Sequence, residues 1–442
     1  MENYISTSRT HVNDLPLDIL AIVFEYAVER YHHADNELQE LPYSPPMASR
    51  APLNLAGVCC SWRNFTISLP SLWSRIRAER QELSRPSPAI LQLFLERSRT
   101  MPLHLIIKTN NRGTGAHDKY EEEALDTFKA HIQRWKTLSI SGDANLLGQL
   151  AKFFDEGENL PPLEALEINY MGSISPTLDD KIFSYVSKIP SLRGLFLTIA
   201  HRERFSSYIP WSQLHIVSCR NTSTSSYASC LELLLKCLSA QTFTFRGGLP
   251  SLSSRNLLQD LHITLSSLTA LTLSSSCDPL GILHHCIFPS LRTLDIEIPR
   301  NAVPAINPIS HNAATLESFF VASNAPLTLL IIRADFTFTS KHFVSFLSSP
   351  RVRSIPRVEL WAPSANSMML HIIDSLQDAG TLFPRLMLWG HRKTIPFGRV
   401  FQGVIVGWID NESDIRDLQE AGDFWYWYRE GRVTFDRPVV YQ

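Results

Sequence analysis

The apolar positions of this chain follow two different periods. Over residues 14–29 they wrap most of a helical circumference: Leu15, Leu17, Ile19, Leu20, Ile22, Val23, Phe24, Ala27 and Val28, with Tyr26 amphipathic. At about 100° per residue, Asp18, Glu25 and Glu29 alone form a polar edge, about 40° wide. Pro16 suits a first helical turn and Asp18 complements the positive end of the helix dipole, so a helix is predicted over 14–29. A helix apolar on so many sides must be covered on more than one of them. A small head has too little mass to do this alone. Either later parts of the chain or a partner protein supplies the cover, and both explanations stay open here.

A second helix is predicted over 53–67, entered by Pro52 and stopped ahead of Leu69-Pro70, since proline disfavours helix at the residue before it. Its projection puts Leu55, Val58, Cys59, Trp62 and Phe65 on one face about 120° wide, with Cys60, Ser61, Arg63 and Asn64 opposite. Between the two helices, the polar and proline-rich stretch 32–50 reads as a loop. Leu72 and Trp73 follow as an apolar anchor, and the core of the head is the favoured place for Trp73.

From about residue 88 the pattern changes. A short amphipathic helix over 87–98 precedes an alternating strand over 102–108, and the helix-then-strand order recurs. The strands share a form, Leu-x-x-Leu-x-Leu or Leu-x-Ile, as in Leu163-Glu164-Ala165-Leu166-Glu167-Ile168, Leu192-Arg193-Gly194-Leu195-Phe196-Leu197, Leu268-Thr269-Ala270-Leu271-Thr272-Leu273 and Leu291-Arg292-Thr293-Leu294-Asp295-Ile296. Trp135-Lys136-Thr137-Leu138-Ser139-Ile140 opens the series and Leu316-Glu317-Ser318-Phe319-Phe320-Val321 reads as a looser copy. Leu138, Leu166 and Leu195 are 28 and 29 residues apart; Leu271, Leu294 and Phe319 are 23 and 25 apart. These spacings resemble leucine-rich repeats, whose strand part has this form. A unit of one strand and one return segment cannot bury its leucines alone, so stacked neighbours share a core and a parallel sheet. Copies between 205 and 260 are harder to register, with 213–216 and 242–245 as candidates; later strands are read at 357–361 and 384–389. A non-repeat α/β domain with a parallel sheet is the runner-up. Residues between the leucines (Lys136, Glu164, Glu167, Arg193, Thr269, Thr272, Arg292, Thr293 and Asp295) are of mixed charge and read as a solvated or partner-binding sheet face. In the tail, 391–442, a strand over 400–408 and the aromatic cluster Phe424-Trp425-Tyr426-Trp427-Tyr428 read as a cap for the open end of the array.

Composition narrows the function. The chain has 442 residues, 44% hydrophobic and 19% charged, so wholesale disorder is excluded. Lys+Arg (41) nearly balances Asp+Glu (43), which argues against a nucleic-acid binder. No apolar run reaches the ~20 residues of a membrane span, and the opening MENYISTSRT lacks the apolar core of a secretory signal. Seven cysteines without a CxxC pair read as reduced thiols of a cytoplasmic or nuclear protein. No phosphate loop, nucleophile elbow or zinc-protease motif is present. His284-His285-Cys286 is the densest candidate metal cluster but reads as an ordinary turn, His32-His33 as part of the solvated loop, and Glu121-Glu122-Glu123 as an exposed helix start. No catalytic, cofactor or metal residue is therefore assigned.

Three segments of the head resemble, in order, the signatures of an F-box. Leu15-Pro16-Leu17-Asp18-Ile19-Leu20 with Val23-Phe24 resembles the opening L-P-x-E-I-L and I-F, with Asp18 where Glu is usual. Leu55-Ala56-Gly57-Val58-Cys59-Cys60-Ser61-Trp62-Arg63 resembles L-x-x-V-C-x-x-W-R. Leu69-Pro70-Ser71-Leu72-Trp73 resembles the closing P-x-L-W. The loop between the first two is long, as in many fungal F-box proteins. The resemblance implies a non-catalytic, substrate-recruiting subunit of a cullin–RING ubiquitin ligase. Its head would bind a Skp-type adaptor, and through it a cullin, by way of Leu15, Pro16, Ile19, Leu20, Phe24, Leu55, Val58, Cys59 and Trp62. Some of these must instead hold the head together. The expected fold class is α/β: a flexible start (1–10), an F-box-like helical domain (11–78), an irregular leucine-rich array with parallel strands (79–390) that holds a protein substrate, and a capping segment (391–442). The alternative is a leucine-rich scaffold uncoupled from ubiquitination; a hydrolase or transferase with an unrecognised site ranks last.

Overall fold

The computed structural model describes residues 15–37, 51–79, 88–108, 119–156, 160–170, 176–199, 207–221, 227–247, 263–275, 280–298, 308–334, 346–361, 386–391 and 404–409. The chain divides into two compact units, Met1–Leu138 and Ser139–Gln442.

In the first unit, α1 (Leu17–Glu37) is followed by α2 (Ala51–Val58), α3 (Cys60–Ser68), a 3-10 turn (Pro70–Trp73), β1 (Arg75–Glu79), α4 (Pro88–Arg97), β2 (Leu103–Lys108) and α5 (Lys119–Lys129). α1 runs eight residues past the expected end at Glu29, so His32-His33 belongs to the helix and not to a loop. No glycine or proline intervenes there to stop it. The helix expected over 53–67 is two helices. Cys59 between them is extended (φ −158°, ψ 171°), and its Sγ accepts the Trp62 N–H at 3.4 Å as the N-cap of α3. Arg63 Nε donates to the Ala56 carbonyl at 3.0 Å, which satisfies an acceptor at the end of α2. β1 pairs in parallel with β2, Ile76 opposite Leu105, so the boundary expected at 78/79 falls inside a paired strand.

Trp73 is fully buried in this unit. Its indole N–H donates to the Thr66 carbonyl at 2.8 Å, Phe94 of α4 meets its ring edge-on at 5.0 Å, and the Arg97 guanidinium lies 4.3 Å from the ring centroid. Trp73→Ala should therefore lower the stability of the first unit by about 3–5 kcal/mol, read as a shifted denaturation midpoint. An unchanged midpoint would contradict this core.

β3 (Trp135–Gly142) carries the boundary between the units. The second unit then contains α6 (Ala144–Glu156), β4 (Ala165–Tyr170), α7 (Pro176–Val186), β5 (Gly194–Ile199), β6 (Ile216–Asn221), α8 (Tyr227–Lys236), β7 (Thr242–Gly247), β8 (Ile263–Thr264), β9 (Ala270–Ser275), α9 (Leu280–His284), β10 (Cys286–Ile287), β11 (Thr293–Ile298), α10 (Pro308–Ser323), β12 (Leu329–Ala334), β13 (Arg357–Trp361), β14 (Leu386–His391) and β15 (Val404–Ile409). β8 and β10 form a separate parallel pair. The other strands pair in parallel and in chain order, β4-β5-β6-β7-β9-β11-β12-β13-β14-β15. The fold class is α/β with a large parallel sheet.

Alternation sorts the two faces of this sheet. One row, Leu166, Leu195, Val217, Phe243, Leu271, Leu294, Leu330 and Val358, is buried on one face. Two residues on, Ile168, Leu197, Cys219, Phe245, Leu273, Ile296, Ile332 and Leu360 form a second buried row. Each leucine is covered from the strands beside it, which is why no unit is stable singly.

One expected copy is displaced. Leu316–Val321 lies in α10, a helix entered at Pro308, with Leu316, Phe319 and Phe320 buried. The strand that pairs with β11 is β12, with Leu330 opposite Leu294. Leu-x-x-Phe-Phe satisfies a helical three–four spacing as well as the strand form, and Pro308 decides for the helix. The aromatic cluster at 424–428 lies outside the described residues. No helix among the described residues is long and apolar enough to cross a membrane.

Cys219, Cys230, Cys237 and Cys286 are buried, and burial pushes their thiols up, those of Cys237 and Cys286 to about 12. Cys60 is exposed. In the native protein iodoacetamide should label Cys60 ahead of these four buried thiols, as read by peptide mass spectrometry. Prompt labelling of Cys230 would contradict the packing.

Candidate docking surface

α1 has two opposite faces. Leu20, Phe24 and Val28, four residues apart, are buried. The Phe24 ring meets Trp62 at 4.7 Å and Phe65 at 5.7 Å, both from α3. Glu25 fixes the helix laterally by accepting the Ser71 hydroxyl at 2.6 Å.

The face turned away from that core is also apolar. Ile19 (42%), Ile22 (62%), Val23 (46%) and Tyr26 (44%) are exposed and fall within about 100° of one another around the helix. Asp18 and Glu25 border this stripe on one side. Leu17 at the start of α1 and Val58 at the end of α2 are more than 60% exposed. Single exposed apolar side chains are ordinary; a row of four on one helix face is an exposed apolar patch.

The residues expected to contact an adaptor therefore divide. Pro16, Ile19 and Val58 are exposed. Leu15, Leu55, Cys59 and Trp62 are half-buried, Trp62 against Phe24 and Cys59 through its N-cap bond. Leu20 and Phe24 are buried in the head and offer no surface, because α3 packs on that side of α1. The break at Cys59 also removes the single face shared by Val58 and Trp62. Leu17, Ile22, Val23 and Tyr26 were not assigned from sequence. The signal for Ile22, Val23 and Tyr26 is their place away from Leu20, Phe24 and Val28, which is readable only once one face is known to meet Trp62; Leu17 lies on the inner side and is exposed because it starts the helix.

The second unit carries polar side chains on the face away from its buried rows. Glu167, Thr272 and Thr293 are half-buried there, but Asp295 is buried and not solvated; Glu164, Arg193 and Arg292 are exposed just ahead of their strands. Arg333 NH2 donates to Asp295 Oδ2 at 2.9 Å, and both are buried. Burial pushes the Asp295 carboxyl up, and the Arg333 and Arg246 charges pull only part of the way back. Burial, then repulsion from Arg220 and Arg333, pulls Arg246 down. The Ser274 hydroxyl donates to Glu297 Oε2. Around His284-His285-Cys286, His284 ends α9, His285 is buried and Cys286 begins β10, the two rings edge-on at 5.2 Å. No group of three or more His, Cys, Asp or Glu that could hold a metal occurs among the described residues.

No protein-family model matches the chain, and no curated protein matches it.

Proposed function

We propose that the chain is a non-catalytic recruiting subunit of a cullin–RING ubiquitin ligase. An F-box-like head docks on a Skp-type adaptor, and a leucine-rich-repeat-like second unit holds the protein to be modified. The mechanism is proximity: tethering raises the local concentration of that protein beside a ubiquitin-charged enzyme, and no bond is made or broken on this chain.

The observation that carries the reading is the exposed apolar stripe of Ile19, Ile22, Val23 and Tyr26 on α1, inside the first of three ordered F-box-like signatures. Ile19, Ile22 and Val23 are more than 40% exposed, and a helix with two apolar faces is the geometry of a segment shared between its own core and a visitor. The parallel, sequentially ordered strands of the second unit, with partner positions 18 to 36 residues apart, support a repeat-like body of irregular unit length.

The test is co-expression of the full chain with a Skp-type adaptor, followed by affinity capture and size-exclusion chromatography. A stoichiometric complex is the expected result. A monodisperse, folded chain that never co-elutes with the adaptor would overturn the reading and leave the uncoupled scaffold in its place.

A further inference from the structure

Apolar burial sets the roll of α1 about its own axis only weakly, because both of its faces are apolar. Leu20, Phe24 and Val28 are buried, and Ile19, Ile22, Val23 and Tyr26 are exposed. Turning the helix trades one apolar row for another, and a non-directional force separates such rows poorly. A hydrogen bond is directional and fixes what burial leaves loose. α1 has a narrow polar edge for this purpose, on which Asp18 and Glu25 lie within about 20° of one another. Glu25 stands about 60° from Val28 of the buried face and about 60° from Ile22 of the exposed stripe, at the seam between them.

The group that meets Glu25 is rigidly held. Ser71 lies in the 3-10 turn Pro70–Trp73, and Pro70 before it has one backbone dihedral fixed by its ring. Leu72 and Trp73 after it are fully buried, and the Ser74 N–H and hydroxyl both donate to the Ser71 carbonyl, at 3.3 and 2.8 Å. With its backbone held on both sides, Ser71 donates its hydroxyl to Glu25 Oε1 at 2.6 Å, the separation of a hydroxyl on a carboxylate. The bond joins residues 46 apart and ties α1 to the turn that follows α3.

We infer that Ser71 is a positioning residue for docking: its bond to Glu25 sets the roll of α1, and so the direction in which Ile19, Ile22, Val23 and Tyr26 meet the adaptor. The inference deepens the proposed function and rests on its reading of the head as the adaptor-binding part. Docking selects one roll of the helix, so the apparent affinity falls with the fraction of chains that hold that roll. Hydrogen bonds to charged groups are strong enough to change this fraction, even after the discount that solvent imposes at an exposed site. If the competent fraction drops to about one third when the bond is lost, the apparent Kd rises about threefold.

The test uses the full chain and a Skp-type adaptor immobilised for surface plasmon resonance. Ser71→Ala should weaken binding about threefold. Ser71→Thr, which keeps the hydroxyl, should restore native affinity. Ser71→Asp sets a second carboxylate against Glu25 and should weaken binding about tenfold or more. In a Glu25→Ala chain, Ser71→Ala should cost nothing further, since the bond is already gone. Hydrogen exchange of the free chain is the second readout: α1 amides of Ser71→Ala should exchange about threefold faster, while those of α3 keep their rate. Native affinity in Ser71→Ala, no recovery in Ser71→Thr, or losses that add in the double variant overturn the inference. If the native chain captures no adaptor, the ligase reading falls by itself and hydrogen exchange decides the tie. Unchanged α1 exchange then overturns it, and faster α1 exchange upholds it as the contact that orients α1.

Discussion

The double substitution Ile22→Asp/Val23→Asp should abolish capture of a Skp-type adaptor while leaving the denaturation midpoint of the chain within about 0.5 kcal/mol of the native value. Both side chains are exposed, so the folded chain loses little when they become polar. At an interface the cost is large. Each change removes a buried apolar anchor and strands a carboxylate away from water, and hot-spot losses of about 2 kcal/mol or more each amount to roughly a thousandfold in Kd. Phe24→Ala is the contrasting variant. It leaves the stripe in place but empties the contact with Trp62 and Phe65, and should destabilise the head by about 3–5 kcal/mol. A folded double variant that still captures the adaptor with native affinity would show that this face of α1 is not the docking surface.

The choice of Ile22 and Val23 over Leu20 shows what sequence left unsorted. Apolar residues surround α1, so periodicity establishes that more than one side is covered and cannot rank the sides. Only the packing of α3, through Trp62 and Phe65 on Phe24, assigns the inner one. The break at Cys59 was equally hidden. A thiol is a weak cap in general, and only its position beneath the Trp62 N–H makes it one here. The strands were more legible, because Leu-x-x-Leu-x-Leu marks both the period and the buried face; β4, β5, β9 and β11 overlap the segments read from it. The same pattern failed at 316–321, where a three-residue spacing serves a helix equally well. The Asp295–Arg333 pair could not be read at all. The two residues are 38 apart in sequence, and only the register of β11 against β12 brings them together.

That buried pair holds the chain's second large expected effect. Arg333→Met should lower the stability of the second unit by about 3 kcal/mol, because it leaves Asp295 buried without its principal cation. Arg246 remains near and limits the loss. The sign of the pH dependence follows from the carboxyl. Asp295 is already raised by burial, so the folded protein holds a proton there at pH values where the unfolded chain has released it. Stability from this group is therefore greater at low pH and declines as pH rises through the raised folded value. Removing Arg333 takes away the charge that pulls the carboxyl down, so the folded value climbs further. The Arg333→Met penalty should consequently be greatest near neutral pH and shrink on acidification through the raised range. Urea denaturation of native and variant chains at several pH values measures it. Arg333→Met/Asp295→Leu, which removes both charges and fills their space with apolar groups, should recover most of the loss, since breaking a buried pair costs more than replacing it. A penalty independent of pH, or a double variant no better than the single one, would mean that Arg333 acts through its packing and not through the Asp295 charge.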